Sequence, residues 1–125
     1  MSPRSWQERI QDILEAVAEI QTFVAGLSRD QFLSDSKTIK AVVANLTIIG
    51  EAARHVPDSI VQAHSEIPWS LMTGMRNRIV HGYYQVDPTI VWDTCQNDLP
   101  ALAAALPKVL DERGLAGAEI EKGSS

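Results

Sequence analysis

The sequence predicts an all-α protein, an up-and-down four-helix bundle with short additional helical turns. Three observations indicate this class. Apolar residues recur at helical spacing through four long segments, no β-type alternation persists, and residues that start or stop helices stand at the segment boundaries. Amphipathic helices of this length bury their apolar stripes most simply by packing together as a bundle.

Two long helices are predicted in the first half of the chain. The first extends from about Pro3 to Ala25, and the second from about Ser36 to His55. Between them, the segment Ser28–Gln31 has the form of a capping box and opens a short helical turn. Residues 58–66 predict a brief helix followed by a loop, in which His64 is expected to be exposed.

The second half predicts two further helices. One extends from Pro68 to His81, with an apolar stripe made of Leu71, Met72, Met75, Ile79 and Val80. Asp87 caps the last helix and places Pro88 at its first position. Pro100 is expected to kink or interrupt this helix.

The domain assignment follows from length and from the glycines near the end. At 125 residues and 45% hydrophobic residues, the chain fits one hydrophobic core, which we assign to residues 1–112. Residues 113–125 contain three glycines and two serines, which predict a flexible tail.

Composition narrows the class of function. The net charge is −5, which argues against a general nucleic-acid binder but leaves room for a local basic cleft. No apolar run has the length of a membrane span, and no signal peptide is visible, so we expect no membrane association. The single Cys95 cannot form an intramolecular disulfide, which favours a reducing cytoplasm, and no metal-ligand spacing is present, so no metal or cofactor is expected.

The segment Gly74–Tyr84 carries the most informative chemistry. At about 100° per residue, Asn77 and His81 share a helix face, whereas Arg76 lies about 140° from His81. One helix therefore does not make a tight Arg–His pair, but a symmetric dimer could bring two copies together. An arginine and a histidine suit a phosphodiester, yet the same spacing also fits solvated arginines and a structural or exposed histidine.

This segment resembles a known family signature. Residues Arg76–Tyr83 are similar to the R-x4-H-x-Y signature of the HepT-like toxins, in the HEPN superfamily of ribonucleases. Residues 49–54, 67–69, 86–92 and 98–100 also resemble segments of that family, so the similarity covers roughly residues 5–110. The resemblance implies a HEPN-like helical bundle and a homodimer.

The resemblance also implies metal-independent RNA cleavage by attack of the 2′-hydroxyl on the adjacent phosphorus. In that scheme His81 transfers protons, Arg76 holds the phosphoryl oxygens, and Asn77 orients His81 or bonds the substrate. Arg78 is a further supporting cation. Two copies of His81 across the dimer cleft would serve as acid and base.

Supporting residues are expected around this centre. Glu51 and His55 are predicted to form a solvated or structural i, i+4 pair, while Glu51 and Arg54 could border the cleft because the family places their helix beside the motif helix. Tyr83 is expected at the cleft rim, where it could contact RNA. In this family the tyrosine is also an acceptor of AMP from a minimal nucleotidyltransferase antitoxin, with Tyr84 as the neighbouring alternative.

A second hypothesis belongs to another class of protein. The chain could be a non-catalytic helical dimer that binds a nucleotidyltransferase or a nucleotide, with the motif serving as a phosphate clamp. The acidic net charge favours this hypothesis. The presence of both Arg76 and His81 favours the ribonuclease.

Overall fold

The computed structural model describes residues 4–82 and 86–124, with side chains described as far as Asp111. Every regular element in these residues is helical, which confirms the predicted all-α class. The seven α-helices and one π turn are α1 (Trp6–Val24), α2 (Arg29–Leu33), α3 (Ser36–Ala53), α4 (Asp58–Ala63), α5 (Trp69–His81), α6 (Pro88–Asp93), the π turn (Thr94–Asp98) and α7 (Leu99–Ser124).

Helix α3 packs against both α1 and α5, and α7 packs against α1. The core between them consists of aliphatic side chains and a few aromatic ones. Its largest fully buried members are Phe32, Ile10, Ile13, Ile20, Ile67, Leu99, Leu102, Leu106, Val17, Val42 and Val109. Among the described residues, no helix is both long and apolar enough to span a bilayer.

Local capping explains the starts of several helices. Ser5 and Ser28 each form a capping box, with Glu8 and Gln31 respectively, so the predicted box at Ser28 is confirmed. Gly26 follows α1 with φ of 76°, a left-handed conformation that favours glycine. Asp87 accepts from the backbone of Thr89 and places Pro88 at the start of α6, as predicted.

The effect of Pro100 is a change of helix type. Leu99 N–H donates to the carbonyl of Thr94, five residues earlier, and this π turn joins α6 to α7. A proline cannot donate to the preceding turn, so the chain widens just before Pro100 and helical structure then continues. Cys95 is buried in this turn, and burial raises the pKa of its thiol to about 11.

Two expectations about exposure are wrong. Val80 is 46% exposed, because the core takes Met72, Met75 and Ile79 and leaves Val80 outside that stripe. His64 is buried at the end of α4, where its main-chain carbonyl accepts from the indole N–H of Trp69 at 2.9 Å. The assignment of residues 113–125 to a flexible tail stays a prediction.

Candidate active site

The candidate site lies where α3 crosses α5 at very short range. Gly50 is buried at this crossing, and a Cβ built on it would lie 2.1 Å from Arg76 Cβ and 2.6 Å from the Met72 carbonyl oxygen. Only a residue without a side chain permits this approach. The next residue of α3, Glu51, is thereby brought beside α5.

Arg76 is held at the crossing by two neighbours. Its Nε atom is buried and lies 3.1 Å from Glu51 Oε2, while one Nη atom donates to Asn77 Oδ1 at 3.1 Å. The Nε–H direction misses the carboxylate oxygen, so the contact with Glu51 is an ion pair rather than an aligned hydrogen bond. With its side chain 21% exposed, Arg76 is a partly desolvated cation that keeps further N–H donors on its two Nη atoms.

Glu51 is shared by three positively charged or protonable groups. His55 Nε2 lies 3.2 Å from Oε1, and Arg54 and Arg76 both approach Oε2, at 3.4 and 3.1 Å. The hydrogen bond from His55, together with the charges of Arg54 and Arg76, lowers the pKa of Glu51 below its ordinary value despite partial desolvation. Glu51 is therefore a carboxylate at neutral pH, and the predicted Glu51–His55 pair is confirmed.

The other motif residues have different surroundings. His81 is the last residue of α5 and is exposed, and its imidazole makes no hydrogen bond or ion pair within the described part of the chain. Asn77 is exposed and its amide oxygen accepts from Arg76. Tyr83 and Tyr84, the two candidate AMP acceptors, lie outside the described residues.

A groove of about 220 Å³ lies along α5 and includes Gly82, the residue that follows His81. Arg78 contributes to its wall and lies about 60° around the helix from His81. Apolar side chains make most of the groove, which is lined by Met75, Arg78, Ile79, Gly82, Val86, Asp87, Ile90 and Val91. Arg78 is thus placed between the His81 face and an apolar surface.

This arrangement has the parts for anion chemistry. Arg76 presents a fixed, permanent cation, and His81 presents an accessible imidazole on the same helix. Within the ranges 4–82 and 86–111, no group of three or more His, Cys, Asp or Glu is arranged to hold a metal ion. Glu51 lies beside the motif helix, as the family resemblance implies, whereas its ion pair with Arg76 is not predicted by spacing, and the adjacent Gly50 is the available signal for it.

Comparison with known proteins identifies the family. The model of the family described as "Ribonuclease HepT-like" matches residues 13–109, which is most of the chain and includes Glu51, Arg76 and His81. The chain belongs to the HepT-like ribonuclease family. No solved structure matches it significantly.

Curated relatives of this HepT-like protein carry consistent names. "Probable ribonuclease HepT" of Thermococcus cleftensis is 38% identical over 106 residues, covering 85% of this chain and 96% of the relative. A "Putative RNase" of Methanocaldococcus jannaschii is 36% identical and covers 71% of this chain and 74% of its own length. Another from Caldanaerobacter subterraneus is 32% identical, covering 89% and 96%. The match therefore extends over nearly the whole fold and not only the motif.

Proposed function

We propose that this chain is an endoribonuclease that cleaves RNA without a metal ion, with Arg76 and His81 as its catalytic residues. The observation that carries the proposal is the fixed guanidinium of Arg76 on the same helix as the exposed His81, in a chain of the HepT-like ribonuclease family. The names of its relatives, which refer to ribonucleases, support RNA as the substrate.

The proposed reaction is an internal transfer at phosphorus. The 2′-hydroxyl oxygen bonds to the adjacent phosphorus, its proton passes to a base, and the 5′-oxygen leaves with a proton from an acid. The product ends are a 2′,3′-cyclic phosphate and a 5′-hydroxyl. An imidazole can act as either base or acid near neutral pH, and the Arg76 guanidinium would stabilise the charge on the phosphorane oxygens.

A homodimer would supply both proton-transfer groups. Each chain has one motif histidine, so two copies of His81 facing a shared cleft would act as acid and base. Apolar side chains exposed in the single chain, Ile48, Val80 and Ile90, support burial against a second copy, and Val80 directly precedes His81. Sedimentation should give a dimer at micromolar concentration, and a monomer there would remove this part of the proposal.

Cleavage of RNA in the presence of EDTA tests the proposal. The purified parent chain should convert a labelled mixed-sequence RNA to fragments with 2′,3′-cyclic phosphate ends, and His81→Ala should reduce the rate by roughly 100-fold or more. Exposed His81 is not part of the core, so this variant should fold like the parent. Cleavage that requires an added divalent cation would contradict the proposed mechanism.

The biological role proposed is that of a cytoplasmic toxin restrained by a minimal nucleotidyltransferase antitoxin. AMP transferred to Tyr83, or to neighbouring Tyr84, would add negative charge two or three residues from His81 and repel RNA. Mass spectrometry of the chain co-expressed with such an enzyme should find AMP on Tyr83. Growth should slow when this chain is expressed alone, and harmless expression at high level would argue against the toxin role.

Two observations favour a second candidate function. Glu51 already pairs with Arg76, and the net charge of the chain is −5, both of which weaken the attraction for RNA. A non-catalytic helical dimer that binds a nucleotidyltransferase or a nucleotide fits those charges. Absence of cleavage by a folded, metal-free parent chain would favour it.

A further inference from the structure

The contacts of Arg76 divide its guanidinium into an inner and an outer edge. The buried Nε atom lies 3.1 Å from Glu51 Oε2 as an ion pair, and one Nη atom donates to Asn77. Arginine has five N–H donors in a fixed fork, so these contacts leave donors on the two Nη atoms. That outer edge is the one a phosphate can approach with two parallel hydrogen bonds.

We propose that Glu51 is a positioning residue that fixes the inner edge of Arg76, so that the outer edge faces the scissile phosphate of RNA. The inference rests on the proposed ribonuclease function and adds a defined role for Glu51 within that site. Glu51 reaches Arg76 because Gly50 lets α3 and α5 approach closely. Glu51 thus acts through Arg76 and does not touch the reacting atoms.

Glu51 is itself held in place. His55 Nε2 lies 3.2 Å from one carboxylate oxygen, while Arg54 lies 3.4 Å from the other. These neighbours, with Arg76, keep the pKa of Glu51 low. The carboxylate therefore stays charged at the pH values at which an imidazole can transfer protons. A fixed anion behind a cation orients that cation without occupying its outer donors.

The opposite role would predict the opposite effect. If Glu51 merely competed with RNA for Arg76, removing its charge would strengthen RNA binding and speed cleavage at low RNA concentration. If Glu51 positions Arg76, removing it leaves a buried Nε without its counter-charge and a guanidinium free to rotate. Cleavage then slows at saturating RNA, because the cation no longer meets the transition state in one orientation.

Single-turnover cleavage of a labelled mixed-sequence RNA by the parent and five variants distinguishes these roles. Glu51→Ala should lower the maximal rate about 10-fold with a smaller change in the RNA concentration at half-saturation, and Glu51→Gln, which keeps an oxygen acceptor, should lose less. In an Arg76→Ala background, Glu51→Ala should cause no further loss, because both changes remove the same interaction. Glu15→Gln, at an exposed position on α1, is the charge-matched control and should leave the rate unchanged.

Three kinetic outcomes would overturn the inference. Glu51→Ala could cleave as fast as the parent, it could cleave faster, or it could slow the Arg76→Ala protein by the same factor as the parent. The first makes the ion pair irrelevant to catalysis. The second makes Glu51 a competitor, and the third gives it a role separate from Arg76.

An NMR experiment tests whether Glu51 positions Arg76, and its readout does not depend on cleavage. The Nε–H resonance of Arg76, assigned by its loss in Arg76→Ala, should exchange slowly with solvent because the atom is buried. Glu51→Ala should shift this resonance and speed its exchange, while Glu15→Gln should not. An unshifted resonance in a folded Glu51→Ala protein would overturn the positioning role, even in an active enzyme. A shifted one supports it even if the parent fails to cleave RNA.

Discussion

Arg76 and His81 lie on one helix but in contrasting environments. Arg76 is in the middle of α5, mostly buried against α3, and contacts Glu51 and Asn77. His81 is at the end of α5 and is exposed. Its imidazole has no hydrogen bond or ion pair in the part of the chain that is described. The protein therefore fixes its permanent cation and leaves its titratable group accessible.

The difference matches what each side chain would do in RNA cleavage. An arginine is charged at every physiological pH, so packing and ion pairs can orient it without the risk of neutralising it. A histidine must take up and release protons, which requires access to substrate or solvent. The fold supports the first residue by tertiary contacts and leaves the second accessible.

The largest effect on stability should come from the crossing that holds Arg76. Gly50→Ala would force a Cβ to within 2.1 Å of Arg76 Cβ and 2.6 Å of a backbone oxygen, so the helices must separate. We expect it to reduce the free energy of unfolding by about 1–3 kcal/mol, typical of overpacking. Urea unfolding of the purified variant measures this.

Gly74→Ala is the matched control on α5. A Cβ there would meet nothing within 4 Å, so alanine should raise the free energy of unfolding by about 0.5–1 kcal/mol through its helix propensity. If Gly50→Ala is as stable as Gly74→Ala, the close crossing of α3 and α5 is wrong, and the support for Arg76 is lost with it.

Truncating the two motif side chains to alanine should lower the free energy of unfolding to different extents. Arg76→Ala removes an ion pair and the packing of a mostly buried stem, so a loss of about 1 kcal/mol is expected. His81→Ala removes an exposed side chain and should change the free energy of unfolding by less than about 0.5 kcal/mol. Denaturant titrations at pH 8 would contradict the contrast if His81→Ala were the more destabilised variant.

The smallest effect on the free energy of unfolding should appear at acidic pH. The pKa of Glu51 is lowered in the folded chain, so its stabilising contribution is present above the ordinary value of 4.5 and is lost as pH falls through the lowered folded value. Glu51 is 41% exposed, so solvent screening limits this contribution to a few tenths of a kcal/mol. Glu51→Gln should flatten that part of the stability curve between pH 6 and pH 3, and an identical curve for parent and variant would show that the ion pairs contribute nothing.

Helical spacing and capping chemistry could be predicted from the sequence because they depend on neighbouring residues. The capping box at Ser28 and the Asp87–Pro88 start of α6 are of this kind, and both are confirmed. The burial of His64 could not be predicted this way, because burial depends on tertiary packing, whereas the spacing around His64 indicates only a turn after α4. Neighbouring residues determine where helices begin and end. The burial of residues at helix ends depends on how more distant segments pack against them.

The same limit applies to the candidate site. Spacing places Asn77 and His81 on one face of α5, and the motif draws attention to Arg76, but neither locates the partner of that arginine. The ion pair with Glu51 exists because α3 and α5 cross at Gly50, which is a tertiary fact. In this sequence, the signal of that crossing is the glycine that directly precedes Glu51 inside α3.

The most direct test compares the cleavage rates of the parent, Arg76→Ala and His81→Ala proteins on one labelled RNA in EDTA, with each protein shown to be folded. The proposed site predicts cleavage by the parent and losses of roughly 100-fold or more in both variants, since one lacks the phosphate-binding cation and the other the proton-transfer group. Cleavage by a folded His81→Ala protein at the parental rate would contradict the assignment of the site to this helix.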